Sequence, residues 1–488
     1  WRRQRRSAPG SAGRPSGRAA RGPGPRGPMA ADRIEHMART AARAKLSVEG
    51  TADLVKELRK CITGLAHMSD PERAAAIPLL VERAEAGSAD GDAHPAARLF
   101  FARAACKLAR LTSVRTDTHE ASEGGPMSPR AHGCFQAMCN VLASYPCDNA
   151  ELCGPVRDDL LKLARKLTEA ADSDMDLANA AIPALSNVVG IFRALHGPFV
   201  LSTAHPDLLQ LCLTAKQYAT AASALAEPIL DVQEAPKMTL LDVRRYFYYS
   251  GRVWATLKEF DRAIEAYTSV AMLPDAQGSA VTDAAYRQLL LVSLIHHGRR
   301  PALPDVVERV LQSRAEAYER IAHSFVCGRA ALAADLDLSE NELRTDGNWG
   351  LASQIVDAFK RHKVLALRRA YVTLPIADIA RHLGEDGDGA ALSVERLLFD
   401  MLRDGQVELE IDPATSMVRF SEQSTTKHQS EKLVQQAQAL ERMLDVVRGM
   451  DVEMAVSPNY IAAVSRRKRD TSAMDAFYDR KSLDPSGA

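Results

Sequence analysis

The sequence has few aromatic residues and no apolar run that approaches the roughly 20 residues needed to span a membrane. Phe, Trp and Tyr make up 5% of its 488 residues. Abundant Ala and Leu favour helices over sheets, and residues 1–28 lack the continuous apolar segment of a secretory signal. We therefore expect a soluble, mostly α-helical protein of two to four domains, located in the cytosol or nucleus.

Sequence motifs of common catalytic sites are also missing. The sequence contains no HExxH, no His-x-His pair, no glycine-rich phosphate loop and no GxSxG elbow. We therefore predict no catalytic residue and no cofactor. The competing reading is a hydrolase whose site residues are dispersed along the chain.

The cysteines do not have the spacing of a zinc site. Four of the eight lie within twenty residues and next to His132, but no CxxC pair occurs among them. Cys134 and Cys139 lie in a helix-like run, where buried thiols act as small apolar residues. We expect no metal, and reduced cysteines. The eight are Cys61, Cys106, Cys134, Cys139, Cys147, Cys153, Cys212 and Cys327.

Two short amphipathic helices are predicted between residues 375 and 405. The spacing i, i+3, i+4 and i+7, which is typical of one face of a helix, is found at Ile376, Ile379, Ala380 and Leu383. Pro375 has the backbone angle that suits a first helical turn. After a loop over Glu385–Ala390, the same spacing recurs, and Gly405 then fits a left-handed C-terminal cap. The second apolar set is Val394, Leu397, Leu398, Met401 and Leu402.

The apolar period then changes from helical spacing to two, which predicts a β-hairpin. Turn residues occupy positions 412–415 between the two strands. Two helices followed by a hairpin are typical of a winged helix, and an exposed hairpin edge can recruit a strand from another chain. The residues that we predict at this winged-helix edge are Val407, Leu409, Ile411, Val418 and Phe420.

Charge argues against DNA as the partner of this winged helix. Residues 351–421 hold nine Lys or Arg against eleven Asp or Glu, whereas duplex binding depends on basic side chains that neutralise phosphates. The outward side of the second helix is mixed in charge, with Glu395, Arg396, Asp400, Arg403 and Asp404. We expect protein contacts and no DNA binding.

Upstream of the winged helix, amphipathic helices follow one another from Ala30 to Leu343. Residues 249–274 carry the small and large residue order of a tetratricopeptide hairpin, and Ala284–Gly298 with Leu303–Leu311 continue it. One hairpin cannot bury its own apolar face, so a stacked solenoid is predicted. A polar stretch, 113–133, predicts a mobile loop. The alternative is an ordinary helical domain.

The two ends of the chain are compositionally distinct. Residues 1–28 contain eight Arg, no acidic residue and many Gly, Pro, Ser and Ala, and Met29 is the first methionine. We expect a disordered or untranslated leader, with a basic RNA-binding or transit arm as the alternative. Residues 456–488 predict a basic flexible tail in which Arg466–Arg469 is either an import signal or a solvated charge run.

A long amphipathic helix is predicted between the winged helix and the tail. Its apolar residues recur every seven positions with others between them, while Gln and Glu fill most remaining positions. We favour contact with other subunits in a helical bundle over packing on this chain. The predicted interface is Leu433, Leu440, Met443, Leu444, Val447 and Met450.

The whole arrangement resembles the PCI-domain scaffold subunits of the proteasome lid, the COP-nine signalosome and a translation initiation factor. Five segments resemble the subunit-three family of the signalosome more specifically. These are His205–Ala222, Tyr246–Pro274, Ala285–Gly298, Ser416–Ser421 and Met450–Ile461.

The resemblance implies a non-catalytic scaffold in the nucleus and cytoplasm that supports removal of a ubiquitin-like modifier from cullins. It implies contacts with other PCI and metalloprotease-like subunits and, through them, with cullin-RING ligases. A proteasome-lid subunit, or a translation-factor subunit that contacts RNA, is the alternative. No membrane partner is expected.

The predicted fold is therefore mostly α, a right-handed tetratricopeptide-like solenoid capped by a winged helix and followed by a long C-terminal helix. The predicted boundaries are a leader at 1–28, N-terminal repeats at 29–112, a loop at 113–133, a solenoid at 134–345, a winged helix at 346–421, a bundle helix at 422–455 and a tail at 456–488.

Overall fold

A computed structural model describes most of the chain between residues 30 and 466. The described ranges are 30–44, 47–65, 70–85, 94–109, 129–146, 153–172, 174–232, 238–274, 279–385, 389–412, 415–421, 427–458, 460–462 and 465–466. The predicted leader and most of the predicted tail lie outside them. The chain divides into two compact units, Trp1–Phe359 and Lys360–Ala488.

The first unit is built from helices, most of which pack against the next one along the chain. The helices up to the first short strand are α1 (Ala30–Arg43), α2 (Val48–Leu65), α3 (Asp70–Glu85), α4 (Pro95–Ala109), α5 (Pro129–Ala143), a 3₁₀ turn (Gly154–Val156), α6 (Arg157–Ala171) and α7 (Met175–His196). They are followed by β1 (Val200–Leu201), α8 (Ala204–Thr214), α9 (Tyr218–Ala224), β2 (Asp231–Val232), α10 (Leu240–Thr256), α11 (Phe260–Met272), α12 (Ala280–His297), α13 (Asp305–Gln312), α14 (Glu316–Cys327), α15 (Arg329–Thr345) and α16 (Trp349–Ala370). The residues of α16 after Phe359 belong to the second unit.

This architecture confirms the predicted fold class of helical repeats. The core of the first unit consists of two apolar clusters, one running from Ile34 to Val253 and the next from Ala255 to Phe359. The clusters meet within α10, because the two faces of that helix pack on different neighbours. Each helix therefore buries its apolar stripe against adjacent helices, as expected of repeat proteins.

The predicted tetratricopeptide hairpin is present as α10 and α11. A capping box starts α10: the Thr239 side chain accepts the Asp242 backbone N–H, and the Asp242 carboxylate accepts the Thr239 backbone N–H. The two helices approach closely where Gly251 faces the fully buried ring of Tyr267. Helix α12 continues the stack as predicted, whereas its next packing partner is α14 and not the predicted α13, which contributes Leu311 to the same core.

The predicted loop at 113–133 ends too late. Helix α5 begins at Pro129, within that range, and residues 110–128 lie outside the described ranges. Proline has the backbone angle of a first helical turn and lacks the N–H that would be left without a partner there. Ala131, Cys134 and Phe135 then form a buried stripe that fixes the helix in the core.

One helix of the first unit is long and apolar enough to cross a membrane by composition alone. This helix is α7, of which half of the most apolar window is buried inside the structure. The sequence expectation that no run approached that length was therefore too strict. Ala181, Leu185 and Val188 of α7 are completely buried. Helices in the core of a folded protein commonly have this length and apolar composition.

The second unit has the element order predicted for a winged helix. After the end of α16 come β3 (Thr373–Pro375), α17 (Ile376–Leu383), α18 (Ala390–Arg403), β4 (Leu409–Asp412), β5 (Met417–Phe420) and α19 (Lys427–Val456). The strands form an antiparallel sheet in the order β3-β5-β4. Leu374 pairs with Val418, and Ile411 pairs with Val418 from the other side.

Two local predictions for this unit were inaccurate. Pro375 belongs to β3 and caps α17 with extended backbone angles, so the helix begins one residue later than predicted. The sequence reading also missed β3 as a strand, because three residues are too short to show a period of two. Gly405 does have the left-handed backbone expected of it, with φ +67°.

Gly251→Ala should destabilise the first unit. A Cβ atom at residue 251 would lie 2.5 Å from Cε1 of Tyr267, and overpacking of a buried ring of this kind costs about 1–3 kcal/mol. We expect that loss in the free energy of unfolding, measured by chemical denaturation. Gly190→Ala is the matched control, since its Cβ would meet nothing within 4 Å and alanine favours the helix. Equal stability of the two variants would contradict this packing.

Candidate functional site

The C-terminal helix α19 presents its apolar stripe to solvent. Every described side chain from Leu433 to Asp445 is exposed, and Met450 is partly buried. Helices in proteins usually owe most of their stability to the packing of an apolar face. The apolar stripe of α19 is exposed instead of being packed against another element. The exposed fractions are 61% for Leu433, 61% for Leu440, 41% for Met443, 47% for Leu444 and 52% for Val447.

The five residues predicted as an interface edge lie instead in the core of the second unit. Val407 and Val418 are completely buried, Leu409 and Phe420 are nearly so, and Ile411 packs against them. Val418 and Phe420 also belong to β5, the central strand. The prediction of an edge formed by these side chains is therefore corrected: apolar residues that alternate along a strand point towards the core, which leaves the backbone to form an edge.

The sheet has two edge strands, β3 and β4, and the edge that belongs to the predicted hairpin is the outer side of β4. Beside its buried residues, β4 carries the outward-facing Glu410 and ends at the exposed Asp412. Charged side chains on an edge strand discourage pairing with another strand. This edge thus suits a basic partner strand better than an apolar one.

A second apolar surface lies on the outer face of α18. Leu392 is 60% exposed, Phe399 56% and Leu402 38%. The sequence reading placed Leu402 in the buried stripe, whereas Met401 occupies the core beside Val394 and Leu398. The i, i+7 spacing of Leu392 and Phe399, off the buried stripe, was the signal that could have identified this surface.

Charges next to this surface are paired within the second unit. Arg361 donates to Asp404 at 2.8 Å, and Arg403 lies 3.1 Å from Asp400. Basic groups engaged in this way are less available to phosphates. The pairs fit the mixed surface read from the sequence.

Several buried titratable groups have shifted pKa values, and such groups often cluster at functional sites. The Arg165 guanidinium joins three helices: its Nε donates to Asp207 at 2.8 Å and its Nη2 donates to Asp242 at 2.7 Å. Burial raises the pKa of Asp207 to about 6, against the opposing effect of Arg165. Burial also raises the pKa of Asp242, but hydrogen bonds from Arg165 and Thr239 outweigh it and leave that pKa below the usual value.

These groups hold helices together. A similar arrangement surrounds the fully buried Asp159, which is paired with Arg59 at 2.6 Å and with Arg103. His205 accepts the Ser202 backbone N–H on Nδ1 at 3.1 Å, and burial lowers its pKa to about 4. The ion pairs of Asp159 and of Arg165 therefore join helices, whereas the His205 contact with Ser202 is local to the start of α8.

Most described cysteines are buried and unreactive, as predicted. Burial raises the pKa of Cys106 and Cys139 to about 12 and that of Cys134 and Cys212 to about 11. Thiols with such values hold almost no thiolate near neutral pH. Cys327 is exposed and Cys61 partly buried, and Cys147 lies outside the described residues.

The fold is that of a helical-repeat protein with exposed apolar residues on α18 and α19. Residues 132–311 match the family model of COP9 signalosome complex subunit 3, N-terminal helical repeats. This match confirms the resemblance read from the sequence over these residues.

Two curated relatives carry the same description. The chain is 29% identical to COP9 signalosome complex subunit 3 of Arabidopsis thaliana over 286 residues, which cover 57% of this chain and 65% of the relative. It is 28% identical to the subunit 3 of Dictyostelium discoideum over 291 residues, which cover 57% and 68%. The chain therefore spans about two thirds of the length of these relatives.

Arg165→Met should destabilise the protein by about 3–5 kcal/mol near neutral pH, because it leaves two buried carboxylates without their cation. In the wild type, the raised pKa of Asp207 favours folding as the pH falls through about 6, while the lowered pKa of Asp242 opposes it. Without Arg165, both folded-state pKa values rise above the unfolded ones. The deficit should then be largest at neutral pH and shrink towards pH 4.

The measurement for Arg165→Met is urea denaturation at several pH values. Lys166→Met is the matched control, since Lys166 pairs with Glu169 at the surface, where both side chains are more than 40% exposed. Surface pairs contribute less than about 1 kcal/mol. A deficit for Arg165→Met that stays constant with pH would refute the shared-cation arrangement.

Proposed function

We propose that this chain is a non-catalytic scaffold subunit of the COP9 signalosome. The observation that carries the proposal is the match of residues 132–311 to the subunit 3 repeat family, supported by the two curated relatives. The element order of the second unit supports its assignment as the winged-helix part of a PCI domain. The matches favour neither the proteasome lid nor a translation factor.

In this role the chain supports the removal of a ubiquitin-like modifier from cullins without performing the chemistry. The perturbed acids Asp207 and Asp242 both pair with Arg165, and His205 accepts the Ser202 backbone N–H on Nδ1. Its partners are other PCI subunits and metalloprotease-like subunits, and cullin-RING ligases are contacted indirectly. The proposed location is the nucleus and the cytoplasm.

Assembly uses helix α19 as the main contact. Leu433, Leu440 and Val447 recur every seven residues, Met443 lies between them and Met450 follows at the next i+3 position, which is the pattern of a helix in a multi-helix bundle. Burying one Leu or Val side chain contributes about 1.5–3 kcal/mol. Five or six such residues therefore provide enough apolar surface to hold the chain in a larger particle.

Replacing Leu440 and Val447 together by Gln should remove the chain from the particle. Both side chains are more than half exposed, so the isolated chain should keep its melting temperature while its incorporation falls at least about tenfold. Incorporation is measured as the amount of other signalosome subunits that copurify with the tagged chain from cells. Deletion of Ser430–Met450 should have the same effect.

Arg442→Gln serves as the control, because residue 442 lies on the opposite side of the helix from residue 440. It should leave incorporation unchanged. If the deletion and the Leu440/Val447 variant copurify partners as efficiently as the wild type does, the bundle proposal fails. If the intact chain is recovered with proteasome-lid subunits instead, the assignment to the signalosome fails.

RNA retention separates the signalosome role from a translation-factor role. A chain fragment that binds nucleic acid through basic side chains loses affinity steeply as salt rises. Because Arg361 and Arg403 are paired with Asp404 and Asp400, we expect no salt-sensitive retention of the chain on immobilised RNA at about physiological salt. Retention that is lost between low and moderate salt would favour the alternative function.

A further inference from the structure

The first unit contains a cluster of metal-binding side chains that the scaffold role leaves unused. Asp261 lies in the first turn of α11, and His296 and His297 are the last two residues of the neighbouring helix α12. Although Asp261 and His296 are 35 residues apart, their Oδ1 and Nε2 atoms lie 2.7 Å from each other. One ligand atom from each of the three residues lies within 4.8 Å of the other two.

The arrangement is close to that of a coordination sphere. Zinc binds His nitrogen and carboxylate oxygen at about 2.0–2.2 Å, which places tetrahedral ligand atoms about 3.4 Å apart. The Asp261–His296 pair would have to open slightly and His297 to move inwards. Asp261 and His297 are exposed and His296 is partly so, so their side chains have room to rotate.

The surroundings also favour a cation. His296 and His297 end α12 just before the left-handed cap at Gly298, where the carbonyl end of the helix carries partial negative charge. The nearby Arg300 is engaged by Glu308 and Glu319, so its positive charge is largely compensated. The ring of Phe260 packs at 5.9 Å from the His296 ring and limits its orientations.

We propose that Asp261, His296 and His297 bind a divalent transition metal ion that links α11 to α12. Two imidazoles and one carboxylate suit Zn²⁺, Co²⁺ or Ni²⁺, whereas Mg²⁺ and Ca²⁺ prefer oxygen ligands throughout. Three protein ligands leave further positions for water. The ion stabilises the contact between two neighbouring repeat helices by binding only the folded chain.

The test is a calorimetric titration, in which the heat of binding is measured as Zn²⁺ is added to the full chain carrying the Cys327→Ser substitution. This background is needed because the exposed Cys327 thiol lies 3.5 Å from Nε2 of His323 and would compete for the ion. One saturable site is expected. His297→Gln and Asp261→Asn should each weaken it at least about tenfold, with unchanged circular dichroism showing that both variants fold.

His382→Gln is the matched control, since His382 is also an exposed helical histidine, and it should bind Zn²⁺ as the background does. The melting temperature of the background should rise with Zn²⁺ and not with Mg²⁺, and His297→Gln should lose that rise. Absence of saturable binding up to about 100 μM Zn²⁺, or equal affinity of His297→Gln and the background, overturns the proposal. Either result leaves the scaffold function untouched, because copurification does not measure metal.

Discussion

The close stacking of one helical hairpin on the next is the constraint on which the rest of this protein depends. No single hairpin buries its own apolar face, so each helix is stable only when its neighbours are in place. Gly251 against the buried Tyr267 ring shows how little space is left at such a contact. Substitutions that add even one methyl group at such a contact are therefore expected to disturb the stack.

Charged groups inside the stack of helices also connect neighbouring helices. Arg165 reaches Asp207 on α8 and Asp242 on α10, so one guanidinium ties three helices together. Buried ion pairs add little net stability compared with apolar packing, but the removal of one partner is costly. We therefore expect these pairs to favour the observed pairing of helices more than they raise the overall stability.

In the second unit, the buried apolar residues and the exposed apolar residues lie on different faces and elements. Its sheet and two short helices close around a small core, while the outer face of α18 and almost the whole of α19 keep their apolar residues in contact with solvent. Apolar faces of this extent on a folded protein usually mark interaction sites. This contrast supports a scaffold whose recognition surfaces are helices.

Local periodicity in the sequence was enough to predict the helical repeats, the two short helices and the hairpin, and the apolar stripe of α19. Periodicity correctly predicted that Val418 and Phe420 point to the core. It does not say which strand lies at an edge or what covers a helix face, which is why both residues were also counted with the edge and Leu402 with the buried stripe. Only the tertiary structure decided those points, because the strand order puts β5 in the centre of its sheet. It also brought together residues distant in sequence, such as Arg165 with Asp242 and Asp261 with His296, because contacts of this kind depend on how helices stack and leave no pattern in a single sequence.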